Sequence, residues 1–144
     1  MGYIASLNTA QDFHDQISRN LKFDYRGLAN TIKEATKQHY NGSFIYECLG
    51  REKDSSVIHA IASFGKYLFP AGSDEAANTI IEYNKTFCNE YQVNQRDMLN
   101  GEPGILYGRY PGDVYAGGNP WQLLSAGLAE VFYLEAKKIQ DIIS

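Results

Sequence analysis

The sequence predicts an all-α fold on three observations. Apolar side chains recur at three- and four-residue spacing in five stretches, capping and breaking residues bound those stretches, and alternating apolar-polar runs are nearly absent. With 144 residues and 44% hydrophobic side chains, the chain holds enough apolar material for one compact domain or part of one.

The first stretch, Ala10 to Tyr25, sets Phe13, Ile17, Leu21 and Tyr25 four residues apart, as one stripe on a helix. Gly27 interrupts it. Leu28, Ile32, Ala35 and His39 then predict a second helix that stops near Asn41-Gly42, a strong turn signal. Ser43 to Leu49 lacks a helical pattern and reads as extended, and Gly50 to Ser55 is a polar loop suited to face a ligand.

Asp54 or Ser55 suits the N-cap of a third helix whose buried face is Val57, Ile58, Ile61 and Phe64, weakened at its end by Gly65. Pro70-Ala71-Gly72 breaks the chain, and Ser73 opens a fourth helix carrying Ala76, Ala77, Ile80, Ile81, Asn84, Phe87, Cys88 and Tyr91. Val93 to Gly118 dissolves into Gly, Pro, Asn and Tyr, a long loop of the kind that holds binding sites on helical scaffolds. Asn119-Pro120-Trp121 reopens a helix, with Asn119 as cap and Pro120 in the first turn, lined by Leu124, Leu128, Val131, Leu134 and Ile139. Five helices joined by short and long loops result.

Composition removes several function classes. The net charge of -4 and the absence of a basic run argue against nucleic acid or an anionic membrane as partner. No run approaches the roughly 20 apolar residues that span a bilayer. The start Met1-Gly2-Tyr3-Ile4 lacks a signal peptide's charged and apolar regions, and with Ser6 it has only the outline of a myristoylation start. A soluble chain is expected.

Cys48 and Cys88 stand too far apart for a metal cluster and read as two buried free thiols. His14, His39 and His59 fall on helical faces without ligand spacing, so no metal is expected. Gly101-Glu102-Pro103-Gly104 reads as a turn rather than a phosphate cradle. The triplets Asn41-Gly42-Ser43 and Asn84-Lys85-Thr86 are N-glycosylation acceptor sequences and would suit a secretory-pathway protein. The unusual figure is 13% aromatic residues, eleven of them tyrosine, which pair a flat apolar face with a hydroxyl as carbohydrate sites, cores and interfaces all do.

One stretch is far more specific. Gly108-Arg109-Tyr110-Pro111-Gly112-Asp113-Val114-Tyr115, followed by Gly118-Asn119-Pro120-Trp121, resembles a barrel loop of the glucoamylase family, glycoside hydrolase family 15. Gly42-Ser43-Phe44-Ile45 and Lys53-Asp54-Ser55-Ser56-Val57-Ile58 resemble other recurring segments of that family in the same order, so that the likeness covers roughly residues 40 to 135.

The resemblance implies a segment from the C-terminal half of an (α/α)6 barrel, with residues 1–144 forming part of a catalytic domain. It implies inverting release of glucose from α-1,4 and, more slowly, α-1,6 links of starch, glycogen or maltooligosaccharides, with no cofactor. Inversion uses an acid and a base carboxyl about 6.5 to 9.5 Å apart. The family's acid lies in a Trp-Glu-Glu segment that would precede residue 1, and its base would follow residue 144, so this chain is expected to bind substrate without cleaving it.

By the same resemblance Arg109 donates to sugar hydroxyls or forms a surface ion pair. Asp113 accepts from the sugar or, preferably, holds Arg109. One of Tyr110 and Tyr115 lines the pocket while the other packs beneath the loop, and Trp121 is a sugar platform or a packing residue. Gly112 departs from the commoner glutamate, and Asp54 reads first as a helix cap. Two other readings stay open: a non-catalytic binding or regulatory module, as in the glucoamylase-like barrels of phosphorylase kinase regulatory subunits, and a helical interaction domain.

Overall fold

A computed structural model describes residues 1–17 and 23–144. Among these residues six α-helices follow in order: α1 (Gly2–Gln16), α2 (Tyr25–Lys37), α3 (Ser56–Phe64), α4 (Asp74–Glu90), α5 (Gln92–Leu99) and α6 (Gln122–Ile143). Short 3-10 turns at Gly65–Tyr67 and Tyr115–Gly117 complete the list, and no strand is present among the described residues. The all-α expectation therefore holds.

The first helical segment is misplaced in the sequence reading. α1 begins at Gly2 and ends at Gln16, while Tyr25 opens α2, whose first turn includes Gly27. The Asp24 side chain accepts from the Gly27 N–H and so fixes that start, and Leu21 lies outside the described residues. α2 stops at Lys37, short of the expected Asn41; His39 then lies in a turn and stacks on Tyr46. Ser43 to Leu49 forms no strand, only the isolated bridges Tyr40 to Ile45 and Cys48 to Arg51. Asn41-Gly42 is a turn, with Gly42 at φ 95.

α3 buries Val57, Ile58 and Ile61 as its spacing predicts, but Phe64 is exposed. Ser55 is the N-cap residue but makes no side-chain cap bond; Asp54, one residue earlier, accepts from the Ser56 N–H with Oδ1 at 2.9 Å. α4 is capped by Ser73, which accepts from the Ala76 N–H. Its inner face carries Ala76, Thr79, Ile80, Tyr83 and Phe87, whereas Ile81 is exposed.

The sequence reading also misses α5. A single buried residue holds it: Asn94 donates to the carbonyls of Phe87 and Leu106 and accepts from the Leu106 N–H, all within 2.9 Å. A buried polar side chain of this kind leaves no apolar stripe in the sequence. α6 starts at Gln122 with Trp121 as its cap residue, not at Asn119, because the Asn119 amide bonds instead to the Ala116 carbonyl. Leu124, Leu128 and Val131 face inward, and Ile139 does not. Cys48 is exposed and Cys88 half-buried, against the expectation of two buried thiols.

The helices pack as α1 on α2, α3 on α6 and α4 on α5, with α1 also touching α3. At the α3–α6 contact, Gly127 brings α6 close to His59, where a side chain would press within 3.2 Å of Nδ1. The centre is aromatic: Tyr83, Phe87 and Tyr107 are fully buried with ring centroids 4.8 to 6.4 Å apart. Burial pushes the Tyr83 and Tyr107 hydroxyls well above the usual phenol range, so both remain donors at neutral pH. Replacing Asn94→Ala strands the Leu106 N–H and carbonyl and leaves the Phe87 carbonyl with only the Tyr91 N–H; urea unfolding is expected to show about 1–3 kcal/mol lost stability.

Candidate functional site

The long connection from Asn100 to Trp121 is held down by Tyr107, at the root of its second part. Its ring is in the core, and its hydroxyl donates to Asn84 Oδ1 at 2.7 Å. Its N–H donates to Ser125 Oγ at 3.0 Å, and its carbonyl accepts from the Trp121 N–H at 2.8 Å. One residue thus ties the loop to α4 and to the start of α6.

Gly108 follows, and only glycine fits there: a Cβ would overlap the Tyr91 hydroxyl. The chain then presents Arg109, whose carbonyl accepts from the Ser55 N–H at 2.8 Å and so joins this loop to the Gly50–Ser55 loop. The two loops that the sequence marks as site candidates are in direct contact.

Arg109 is fixed on several sides. Its Nε donates to Asp113 Oδ2 and its Nη2 to Asp113 Oδ1, both at 3.0 Å, a bidentate pair. Nη2 also donates to the Tyr110 hydroxyl at 3.1 Å. The guanidinium carbon lies 4.7, 5.6 and 5.5 Å from the ring centroids of Tyr110, Tyr115 and Trp121, within cation–π range of all three. The structure therefore brings the five residues singled out from the sequence into one array.

Within that array Asp113 is the buried partner, 4% exposed at its side chain against 35% for Arg109. Burial alone would raise its carboxyl, but the Tyr115 N–H on Oδ1 and the Arg109 guanidinium outweigh that and hold it below the usual carboxylate range. The bonds to Asp113, its main support, push Arg109 further up, so the guanidinium is always charged. Asp113 holds Arg109, the role preferred for it from sequence.

Of the five guanidinium N–H donors, those on Nη1 carry no partner among the described residues. Two hollows border the rings that pack on Arg109, although Arg109 itself lines neither. One, of 490 Å³, is lined by Arg51, Glu52, Lys53, Tyr110 and Pro111; the other, of 300 Å³, by Tyr115, Ala116, Asn119, Pro120 and Trp121. Tyr115 is exposed and its ring stands 5.7 Å from that of half-buried Trp121.

Arg51 is a site residue that the sequence reading passes over. Its guanidinium lies 5.2 Å from the Tyr110 ring centroid, and its Nε pairs with buried Asp54 at 3.2 Å. Asp54 thus braces a site cation as well as bonding the first N–H of α3. Glu90 is the other: its Oε1 accepts from the Gly112 N–H at 2.7 Å and holds the loop tip to the end of α4. Gly112 itself has φ 74 with open space where a side chain would be, so it is the positive φ, not crowding, that suits glycine there. Among the described residues no group of three His, Cys, Asp or Glu is arranged to hold a metal ion, and no helix is long and apolar enough to cross a membrane.

Two outcomes check this geometry. Gly108→Ala is expected to cost about 1–3 kcal/mol in urea unfolding, and less in a Tyr91→Phe background, where the obstructing hydroxyl is gone. Because the folded Asp113 carboxyl lies below its ordinary 3.8, its contribution is present above that value and is lost as pH falls through the folded one. Emission from Trp121, the only tryptophan, is expected to hold steady on acidification until the pH is below 3.8, and Asp113→Asn is expected to abolish the step.

Comparison with known proteins gives one consistent kinship. Over 100 residues, 62% of this chain and 16% of the relative, it is 34% identical to Glucoamylase of Blastobotrys adeninivorans. Over 86 residues, 55% of this chain and 14% of the relative, it is 36% identical to Glucoamylase P of Amorphotheca resinae. Over 65 residues, 45% of this chain and 11% of the relative, it is 37% identical to Glucoamylase-1 of Schizophyllum commune. The chain therefore matches less than one fifth of the length of these relatives. No family model matches it, and no solved structure does.

Proposed function

From this distant, partial kinship to glucoamylases, we propose that the chain is a segment of a glucoamylase-type (α/α)6 barrel and carries part of its glucan-binding surface. The observation that supports this most directly is Arg109. Its cation is fixed by a buried carboxylate and three aromatic rings, while the two Nη1 donors remain free for ligand hydroxyls. Sugars are recognised by fixed donors beside flat apolar faces, and exposed Tyr115 with Trp121 provides such a face.

The ligand class is an α-linked glucan: starch, glycogen or a maltooligosaccharide. Within the parent enzyme this surface would hold a glucose unit for hydrolysis at the chain end, with inversion, while acid and base glutamates come from other parts of the barrel. Of the carboxylates at this site, Asp113, Glu90 and Asp54 are already engaged, whereas Glu52, which lines the larger hollow, carries no partner among the described residues. Asp113 is tied to Arg109 and held ionised, Glu90 to the Gly112 N–H, and Asp54 to Arg51 and the Ser56 N–H. A general acid needs a raised pKa instead.

Membership of a larger barrel is supported by the apolar residues that α6 leaves exposed. Leu123, Phe132, Ile139, Ile142 and Ile143 lie uncovered along one helix, more than a free-standing domain usually shows.

Acarbose, a transition-state mimic for this enzyme class, provides the test. Titrated into the 144-residue chain, it is expected to change Trp121 emission saturably. Arg109→Ala, shown to be folded by circular dichroism, is expected to weaken binding about tenfold or more, as loss of charged hydrogen bonds does. Maltoheptaose incubated with the chain alone is expected to release no glucose. Absence of binding by the folded wild-type chain would refute the reading.

A further inference from the structure

The two Asn-x-Ser/Thr triplets stand in opposite surroundings. Asn84 lies within α4, half-buried, and its Oδ1 accepts from the core hydroxyl of Tyr107 at 2.7 Å. The hydroxyl two residues on, that of Thr86, donates to the Glu82 carbonyl and accepts from Lys53 Nζ. Both side chains of that triplet are committed to holding the fold.

Asn41 is exposed in the turn between Tyr40 and Ile45, which bridge to each other. Its Oδ1 accepts from the N–H groups of Ser43 and Phe44, both at 3.0 Å, while its Nδ2 and the Ser43 hydroxyl carry no partner among the described residues. Gly42 has φ 95, and no atom lies within 4 Å of where its Cβ would stand, so the space over the turn is open. A glycan is bulky and hydrophilic and needs a site of this kind.

We infer that Asn41 is an N-glycosylation site and that Asn84 is not. The donor is an oligosaccharide linked through pyrophosphate to a lipid. A bond forms between Asn41 Nδ2 and the anomeric carbon as the bond from that carbon to the pyrophosphate oxygen breaks. The bonding pair leaves with the lipid pyrophosphate, and Nδ2 gives one proton to a base of the transferase. Two N–H donors on Oδ1 draw electron density onto the oxygen and so ease loss of that proton. At Asn84 the helical backbone permits no such turn, and the Thr86 hydroxyl is not free to be read. The inference does not rest on the glucan-binding reading and stands or falls apart from it.

The test is secretion of the full chain from a eukaryotic host behind a cleavable leader, followed by enzymatic glycan release in heavy-oxygen water and peptide mass spectrometry. Release converts a glycosylated asparagine to a heavy-labelled aspartate. The label is expected at position 41 and not at position 84. Asn41→Gln and, with the asparagine and its turn retained, Ser43→Ala are each expected to yield chain without glycan. Thr86→Val is expected to leave the glycan mass unchanged. Label at position 84, or secreted wild-type chain without label at position 41, overturns the inference.

Discussion

The structure turns on Tyr107, a polar aromatic residue at the centre of an apolar core. Its ring packs on Phe87 at 4.8 Å and its hydroxyl has a partner in Asn84, so burial leaves no orphaned polar group. Its backbone is equally committed, to Ser125 and Trp121 of the sixth helix and its approach. Every residue of the candidate site follows within fourteen positions of this anchor, apart from the contributions of the Gly50–Ser55 loop and Glu90. A loop tied into the core at its root can hold a side chain in one place without secondary structure of its own.

From that anchor the site is built in a short series of constraints. Gly108 admits the Tyr91 hydroxyl against the backbone, Ser55 fixes the Arg109 carbonyl, and Asp113 fixes the guanidinium. Tyr83 performs the matching task for the other loop, its buried hydroxyl lying 3.3 to 3.4 Å from the carbonyls of Ile45, Glu52 and Asp54. Each core tyrosine therefore secures one of the two contacting loops. Ordering a long arginine side chain before a ligand arrives removes an entropic cost from binding, which is the advantage of a site fixed in advance.

What was legible in the sequence follows the kind of force at each position. The α4 segment, with its Ser73 cap and its Ile80 and Phe87 face, was readable because apolar burial repeats with the helical period. The Arg109 to Trp121 loop was readable by likeness to a family, and its five candidate residues do converge. α5 was not, since the residue that fixes it is a buried asparagine bonded to backbone, invisible to any apolar pattern. Tyr83 escaped for the related reason that its role lies in three carbonyls far along the chain. Asn119 misled because Asn-Pro before an apolar run reads as a helix start, whereas here the amide closes a turn onto Ala116 and the helix opens three residues later.

The central claim is that Arg109 is fixed before any sugar binds and keeps its Nη1 donors free. Nitrogen-15 NMR of the arginine side chains in the ligand-free chain measures this most directly. A resolved Arg109 Nε–H that exchanges slowly with water is expected, identified by its loss in Arg109→Lys. On addition of maltoheptaose that Nε resonance is expected to persist while the terminal guanidinium nitrogens shift. An Arg109 Nε–H averaged with the other arginines and exchanging freely in the unliganded chain would contradict it.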